Sequence, residues 1–387
     1  MALARQQLQA LAEKEDEIHA FTCLDTEAAR VTEGGPLAGA LIGVKDIITT
    51  ADLPTHYGSP FRENEGPRID AWCVGAAKRL GAAIIGKTVS TEIAFALPGP
   101  TVNPHDHART PGGSSSGSAA AVAAGFVSFA IGTQTAGSTI RPASFCGVTG
   151  FKPSFGLLHL EGVQAISTTC DHLGFFARSP RDAWLITSGM LGRAEVVRAR
   201  APQRVLHVRM PAAVPLEDEM RERMDALARV LPGVETVELP VPLDDFAGLQ
   251  PALCFWEAAR ILLAPGRLRL ADGLAALLEP YLEMDIAPYS EARRKRARYQ
   301  EQFAAMIAGF DAVLLPAALG VAPVGLGNTG DAVMSRFWTP LHVPAVTMPL
   351  WRSAEGLPLQ PQLLGQLGAD RELMEVAQWL FETNPSL

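Results

Sequence analysis

Residues 103–154 read NPHDHARTPGGSSSGSAAAVAAGFVSFAIGTQTAGSTIRPASFCGVTGFKPS, and the order of residue types in this stretch decides the fold. Gly112 to Ser118, GGSSSGS, runs straight into the helix-forming AAAVAAG. Consecutive glycines allow close backbone approach, and serines at a helix N-terminus set hydroxyls beside unpaired N–H groups. Alone, GGSSSGS would also suit a flexible linker; the uncharged helix former after it argues otherwise. FVSFAIG then reads as a strand and ends in the turn TQTAGS, with Ser138 at its head. Successive N–H groups in such a turn can converge on one oxygen, as an oxyanion hole requires. Thr110 to Ile140 carries no charge, yet its most apolar part, Ala119 to Gly132, is too short and too weakly apolar to span about 30 Å of hydrocarbon. It reads as the interior of a soluble protein.

Upstream, Lys45 interrupts the apolar run LIGVKDII. Lysine is rarely buried completely, so this one either snorkels outward or is held for use. Desolvation would lower its pKa, and a neutral amine can act as a general base. Around these segments, helical periodicity alternates with short apolar runs. An N-terminal charged amphipathic helix leads to Leu37–Ile48. Asp70 is positioned to cap the helix AWCVGAAKRLG, which the strand-like AAIIG follows. A helix is expected from Ser118, another opened by Ser179-Pro180, and a strand over Arg204–Met210. Long helices near Leu253–Leu263 and Glu291–Phe310 precede the short strands DAVLLP, VPAVTMP and QLLG, and a last helix spans Ala369–Phe381. Such alternation predicts an α/β fold with a largely parallel or mixed sheet and helices on both faces. At about 150 residues per domain the length would allow two or three domains. No repeat, charged linker or compositional break marks a boundary.

Composition removes several functions. The 387 residues are 48% hydrophobic, enough to bury a sizeable core, and the net charge of −8 opposes non-specific nucleic-acid binding. The basic run Arg293–Arg298 lies among acids and reads as a solvated helix face. Five scattered cysteines without a CxxC pair argue against a disulfide framework and for a reducing compartment. His105 and His107 flank Asp106 in a Pro-bounded loop and lack metal-ligand spacing, so no metal is expected. Two motif matches are formal only. Gly81 to Thr88, GAAIIGKT, fits GxxxxGK[ST], but Ala-Ala-Ile-Ile is a strand run that cannot wrap a phosphate. Gly325, Gly327 and Gly330 spell GxGxxG near the C-terminus, without the acid about 20 residues on that a dinucleotide fold uses. A turn is the expectation there.

Lys45, GGSSSGS and GTQTAGSTIR together resemble the amidase signature family. Residues 103–154 read like its signature through nearly their whole length, and the 24-residue step from Ser114 to Ser138 matches the spacing of its two catalytic serines. GVKDIITTADLPTHYGS, GAAIIGKTVSTEIAF, SPRDAWLITSGM, DAVLLPAALGVAPVG and TGDAVMSRFWTPLHVPAVTMPL are similar to further family segments; residues 195–290 resemble it least. The resemblance implies one domain over 1–387 with a twisted mixed sheet covered by helices on both faces. Its signature core would span about 37–180, and about 204–387 would complete the same sheet. It implies Ser138 as nucleophile, Ser114 as bridging serine after a cis peptide bond, and Lys45 as the base. Backbone N–H groups of Thr135, Ala136, Gly137 and Ser138 would form the oxyanion hole.

Within the family, Gln134 replaces a more common Asp, and Arg141 stands three residues after Ser138 rather than two. That register resembles bacterial malonamidase, which hydrolyses small amides bearing a carboxylate. Arg141 would then either clamp a substrate carboxylate or brace the signature loop. Gln360-Pro361 and Ser335 also depart from the family pattern, and the chain is short for the family, so peripheral helices or loops are expected to be trimmed. The leading expectation is an amidohydrolase of small linear amides, cytoplasmic, without cofactor, nucleic-acid or membrane partner, and compatible with a homodimer. The alternatives are the amidase component of a tRNA-dependent amidotransferase, against which Gln134 speaks, and a nucleotide-binding protein using Gly81–Thr88. A non-catalytic binding module would have no need of Lys45, Ser114 and Ser138 together.

Overall fold

Successive side chains of a strand point to opposite faces, so a strand covered on both sides reads as continuously apolar. Leu41–Lys45 (β2) and Phe129–Gln134 (β4) are buried at every position. Leu41 and Ala130 pack with the N-terminal helices, whereas Ile42, Val44, Phe129 and Ile131 face the larger core cluster on the other side. The computed structural model describes all residues except 1, 31–33, 62, 96, 240–247, 265–267 and 384–387.

The remaining strands are β1 (Phe21–Leu24), β3 (Ala83–Thr88), β5 (Thr149–Lys152), β6 (His172–Ala177), β7 (Val205–Arg209), β8 (Val234–Glu238), β9 (Ala312–Pro316), β10 (Ala345–Thr347), β11 (Trp351–Arg352), β12 (Pro358–Leu359) and β13 (Pro361–Leu364). Eleven of the thirteen described strands form one sheet in the order β1-β3-β2-β4-β6-β5-β10-β13-β9-β7-β8, and β11 pairs with β12 apart from it. β3, β2 and β4 run parallel, as do β9, β7 and β8, and the other pairings are antiparallel. The expected single α/β layer structure with a mixed sheet is what the chain forms.

The helices are α1 (Ala2–Ile18), α2 (Trp72–Arg79), α3 (Ser116–Ala123), α4 (Ile140–Cys146), α5 (Pro180–Met190), α6 (Asp218–Val230), α7 (Leu249–Leu262), α8 (Asp272–Leu282), α9 (Ile286–Met306), α10 (Val333–Arg336) and α11 (Asp370–Thr383). α3 lies against the sheet because its residues are small. A Cβ on Gly117 would stand 2.1 Å from the Ala20 carbonyl oxygen. Ser179 caps α5 by accepting from the Asp182 N–H at 3.2 Å, as its sequence indicated. Asp70 does not cap α2. Ala71 holds that position, and the Asp70 carboxylate instead accepts from the Ala51 N–H and pairs with Lys78 at 2.8 Å. The three glycines of VGLGNTG lie outside any helix or strand, in keeping with a turn. The basic run sits on α9, where Glu291 pairs with Arg294 and Arg298. Among the described residues no helix is long and apolar enough to cross a membrane.

Candidate active site

Parallel strands end at a common edge, and there the loops after several strands converge. β2 ends at Lys45, opposite Thr88 at the end of β3, and β4 leads directly into the turn of residues 135–138. Lys45 shares the strand face of Leu41, the side on which α3 packs. It therefore does not snorkel: it is fully buried, and its Nζ donates to Ser114 Oγ at 2.7 Å and Thr133 Oγ1 at 2.9 Å. Burial holds its pKa well below that of a free lysine, opposed by the Asp171 carboxylate. A buried amine of this kind has a neutral form within reach of physiological pH.

The peptide bond between Gly113 and Ser114 is cis. Of the serines in GGSSSGS, only Ser114 turns its hydroxyl to the lysine. Ser115 Oγ donates to the Thr133 carbonyl, Ser116 Oγ to the Val89 carbonyl, and Ser118 Oγ meets Thr88 Oγ1 at 2.7 Å. These three fasten α3 to the strands. Gly112 is held at φ +83° with Pro142 so close that a Cβ would stand 2.8 Å from its Cα, so the segment before Ser114 is seated on the start of α4.

The turn of residues 135–138 has its first three carbonyls engaged and its N–H groups open. The Thr135 carbonyl accepts from Gln250 Nε2, that of Ala136 from Thr339 Oγ1, and that of Gly137 from the Arg141 N–H. Among the described residues, no hydrogen bond takes up the N–H groups of Thr135, Ala136, Gly137 or Ser138. Four donors on one tight turn are what a developing oxyanion would meet. Gln134 fixes this arrangement, since its Oε1 accepts from the Thr139 and Ile140 N–H groups at 2.9 and 3.1 Å. Exposure falls from 8% at Ser138 to 2% at Ser114 and 0% at Lys45. Ser138 is thus the most exposed of the three, and the lysine lies deepest.

Arg141 is buried, and both its terminal nitrogens have internal acceptors, while Nε has no hydrogen-bond partner among the described residues. Nη1 donates to the Gly330 carbonyl at 2.8 Å, and Nη2 to the Gly113 carbonyl at 2.7 Å and Thr329 Oγ1 at 3.1 Å. It ties α4, the helix after Ser138, to the cis peptide before Ser114. Ser335 lies against the same turn, its Cβ 3.1 Å from where a Cβ on Gly137 would be. Gln360 is buried just before β13, and its side chain meets Thr347 of β10 rather than Lys45 or the turn.

Sequence reasoning missed Thr133, the second acceptor for Lys45, and Asp171, whose Oδ1 accepts from Thr135 Oγ1 at 2.6 Å. Thr133 stands in GTQTAGSTIR without a signal of its own and Asp171 stands in no motif; pairing of β2 with β4 and of β4 with β6 brings them in. Gly81–Thr88 forms the end of a turn and a buried strand, and Lys87 points into the core at the Ile48 carbonyl and Thr55. ATP is therefore expected to leave Tm unchanged in a thermal-shift titration, since a ligand that binds the native state raises it. Among the described residues no cluster of His, Cys, Asp and Glu could hold a metal ion.

The family description Amidase matches residues 2–217. A glutamyl-tRNA(Gln) amidotransferase subunit from Pseudothermotoga lettingae is 29% identical over 412 residues, 91% of this chain and 87% of that protein. Its namesake from Methanospirillum hungatei is 44% identical over a shorter 171 residues, 42% of this chain and 39% of that protein. A solved structure described as an amidase superposes with a TM-score of 0.85 at 30% identity, over 98% of this chain and 95% of that one. Fold, motif and relatives agree, and the chain belongs to the amidase family of amide-bond hydrolases.

Proposed function

We propose that this protein hydrolyses the C–N bond of small primary amides through an acyl-enzyme on Ser138. The observation that carries the reading is the 2.7 Å contact from the buried Lys45 amine to Ser114, beside a turn with four open N–H groups. Ser138 Oγ attacks the amide carbon, and its proton passes to Ser114, whose own proton goes to neutral Lys45. The carbonyl oxygen becomes an oxyanion held by the N–H groups of Thr135, Ala136, Gly137 and Ser138. The C–N bond then breaks, and ammonia leaves with a proton returned along the same path. Water attacks the resulting ester, releasing a carboxylate and restoring Ser138.

The curated relatives favour the amidotransferase reading over a malonamidase. Gln134 no longer counts against it: the amide oxygen accepts from two backbone N–H groups, as a carboxylate there could. The side chain offered for a malonamate clamp, Arg141, spends both terminal nitrogens on internal acceptors, which favours the brace. The decisive assay is ammonia release from acetamide, propionamide, malonamate, L-asparagine and L-glutamine, by this protein alone and with proteins that co-purify with it. Turnover that requires a co-purifying protein would establish the role in a larger amidotransferase; equal turnover of all five by the chain alone would favour an independent amidase. No ammonia from any of them, under either condition, would overturn the reading.

As a brace, Arg141→Ala is expected to lower activity on every substrate and to destabilise the fold by about 2 kcal/mol or more, since hydrogen bonds to a buried charge are lost. Urea unfolding and the same substrate panel check this. Loss confined to malonamate, with stability unchanged, would restore the clamp.

A further inference from the structure

Asp171 is a buried carboxylate that the mechanism above does not use. It precedes β6 and has no ion-pair partner among the described residues. Oδ1 accepts from Thr135 Oγ1 at 2.6 Å, and Oδ2 accepts from the Ile166 and Ser167 N–H groups at 2.8 and 3.0 Å. A carboxylate that accepts three hydrogen bonds inside the protein is held in one place. Thr135 is the first residue of the turn whose N–H groups are open.

The loop behind Asp171 is secured from the other side by Glu257 of α7. That carboxylate accepts from Ser167 Oγ, Thr168 Oγ1, the Thr169 N–H and Thr169 Oγ1, and from Tyr289 of α9 at 2.7 Å. Gln250, seven residues earlier on the same face of α7, holds the Thr135 carbonyl. One helix face thus supports both the loop that carries Asp171 and the turn that Asp171 grips.

Asp171 grips Thr135, two residues beyond the Thr133 that accepts from Lys45, so its charge lies at the same strand end as the amine and opposes the effect of burial there. The two groups that accept from that amine are uncharged: Ser114 before α3 and Thr133 on β4. Lys87 faces Asp46 at 3.7 Å and belongs to a separate pair. Burial pushes the Asp171 carboxyl up to about 6, opposed by the hydrogen bonds from Thr135, Ile166 and Ser167 and aided by the like charge of Glu257, so it carries its charge above that pH. The nearby thiols of Cys170 and Cys254 are held neutral by burial.

We propose that Asp171 is a positioning residue with two separable actions: through Thr135 it sets the oxyanion turn, and from there it places a negative charge at the strand end where Thr133 accepts from Lys45. The inference rests on the proposed roles of Ser138 and Lys45. Removing the charge should make Lys45 lose its proton at lower pH, because an opposite charge nearby favours the protonated amine. Removing only the Thr135 hydroxyl should leave Lys45 alone.

Two variants separate these actions, Asp171→Asn and Thr135→Val. The first readout is the pH dependence of labelling by a fluorophosphonate, in which Ser138 Oγ displaces fluoride from phosphorus and its proton goes to the relay. The second is kcat on whichever of the five amides wild type turns over fastest. Asp171→Asn is expected to move the ascending limb of labelling to lower pH by about one unit or more. Thr135→Val is expected to lower kcat roughly tenfold or more, as loss of an oxyanion-hole support does, with the limb in place. An unmoved limb in Asp171→Asn, or kcat within twofold of wild type in Thr135→Val, would overturn the proposal. The Thr135 variant decides alone if the Asn variant fails to fold. Wild-type labelling that misses Ser138 would instead defeat the reading beneath it.

Discussion

Ser138→Ala is expected to abolish ammonia release, a loss on the order of a millionfold in kcat, as removal of a nucleophilic serine produces in unrelated serine hydrolases. The effect is large because the hydroxyl forms the bond that splits one difficult step into two easier ones. Ser114 offers no ready substitute: it is 2% exposed and its hydroxyl is engaged by the Lys45 amine. The alanine variant should fold normally, since no hydrogen bond among the described residues depends on the Ser138 hydroxyl. Hydroxylamine added to wild type should yield hydroxamate from the acyl-enzyme, and the variant should yield none. Full activity in Ser138→Ala would remove the mechanism outright.

Lys45→Ala and Ser114→Ala are each expected to cost a thousandfold or more, roughly what triad members contribute elsewhere. Because both serve one proton path, the double variant should lose about as much as either alone. Additive losses would mean that the two residues act separately. The wild-type pH profile of kcat/KM adds a test of sign. The base must be neutral to accept a proton, so activity rises with pH through the Lys45 pKa. Burial lowers that pKa well below the free-lysine value, with the Asp171 charge opposing, so the ascending limb should lie well below pH 10. A limb that stays near the free-lysine value would mean that the amine is solvated during turnover. Ser114→Ala removes one of the two acceptors of Lys45 Nζ and leaves Thr133, so its fold should survive for measurement.

Much of the fold was legible because two-sided burial writes itself as continuous apolar runs. LIGVK, FAIGTQ and AVLLP are strands buried at every residue, and the helix expected from Ser118 forms from Ser116, fully buried along most of its length. Legibility was uneven between residues 195 and 290: β7 and α7 were expected, whereas the half-exposed α6, β8 and α8 were not. α6 buries only Met220, Met224 and Leu227, spaced at helical period but outnumbered by charges, and β8 is an edge strand with two exposed glutamates. The Asp70 cap failed for a different reason. An aspartate before a helix has a local partner in the N–H groups, but a lysine on the next turns and a distant backbone donor compete for it, and only packing decides.

For the site, the sequence by itself determined the residue types that bear chemistry: a lysine inside an apolar run, serines before an Ala-rich helix, and a Gly-containing turn 24 residues on. Local composition fixes which backbone segments can turn tightly or approach closely, so those signals survive in one dimension. Which serine meets the lysine was decided only by tertiary structure, because β2 and α3 are brought together by pairing across 69 residues of chain. The same holds for Arg141, whose guanidinium could serve substrate or scaffold until Gly113, Thr329 and Gly330 were placed around it. Asp171 was invisible for the same physical reason. A buried charge takes its meaning from the groups that desolvate and contact it, and those come from three separate parts of the sequence.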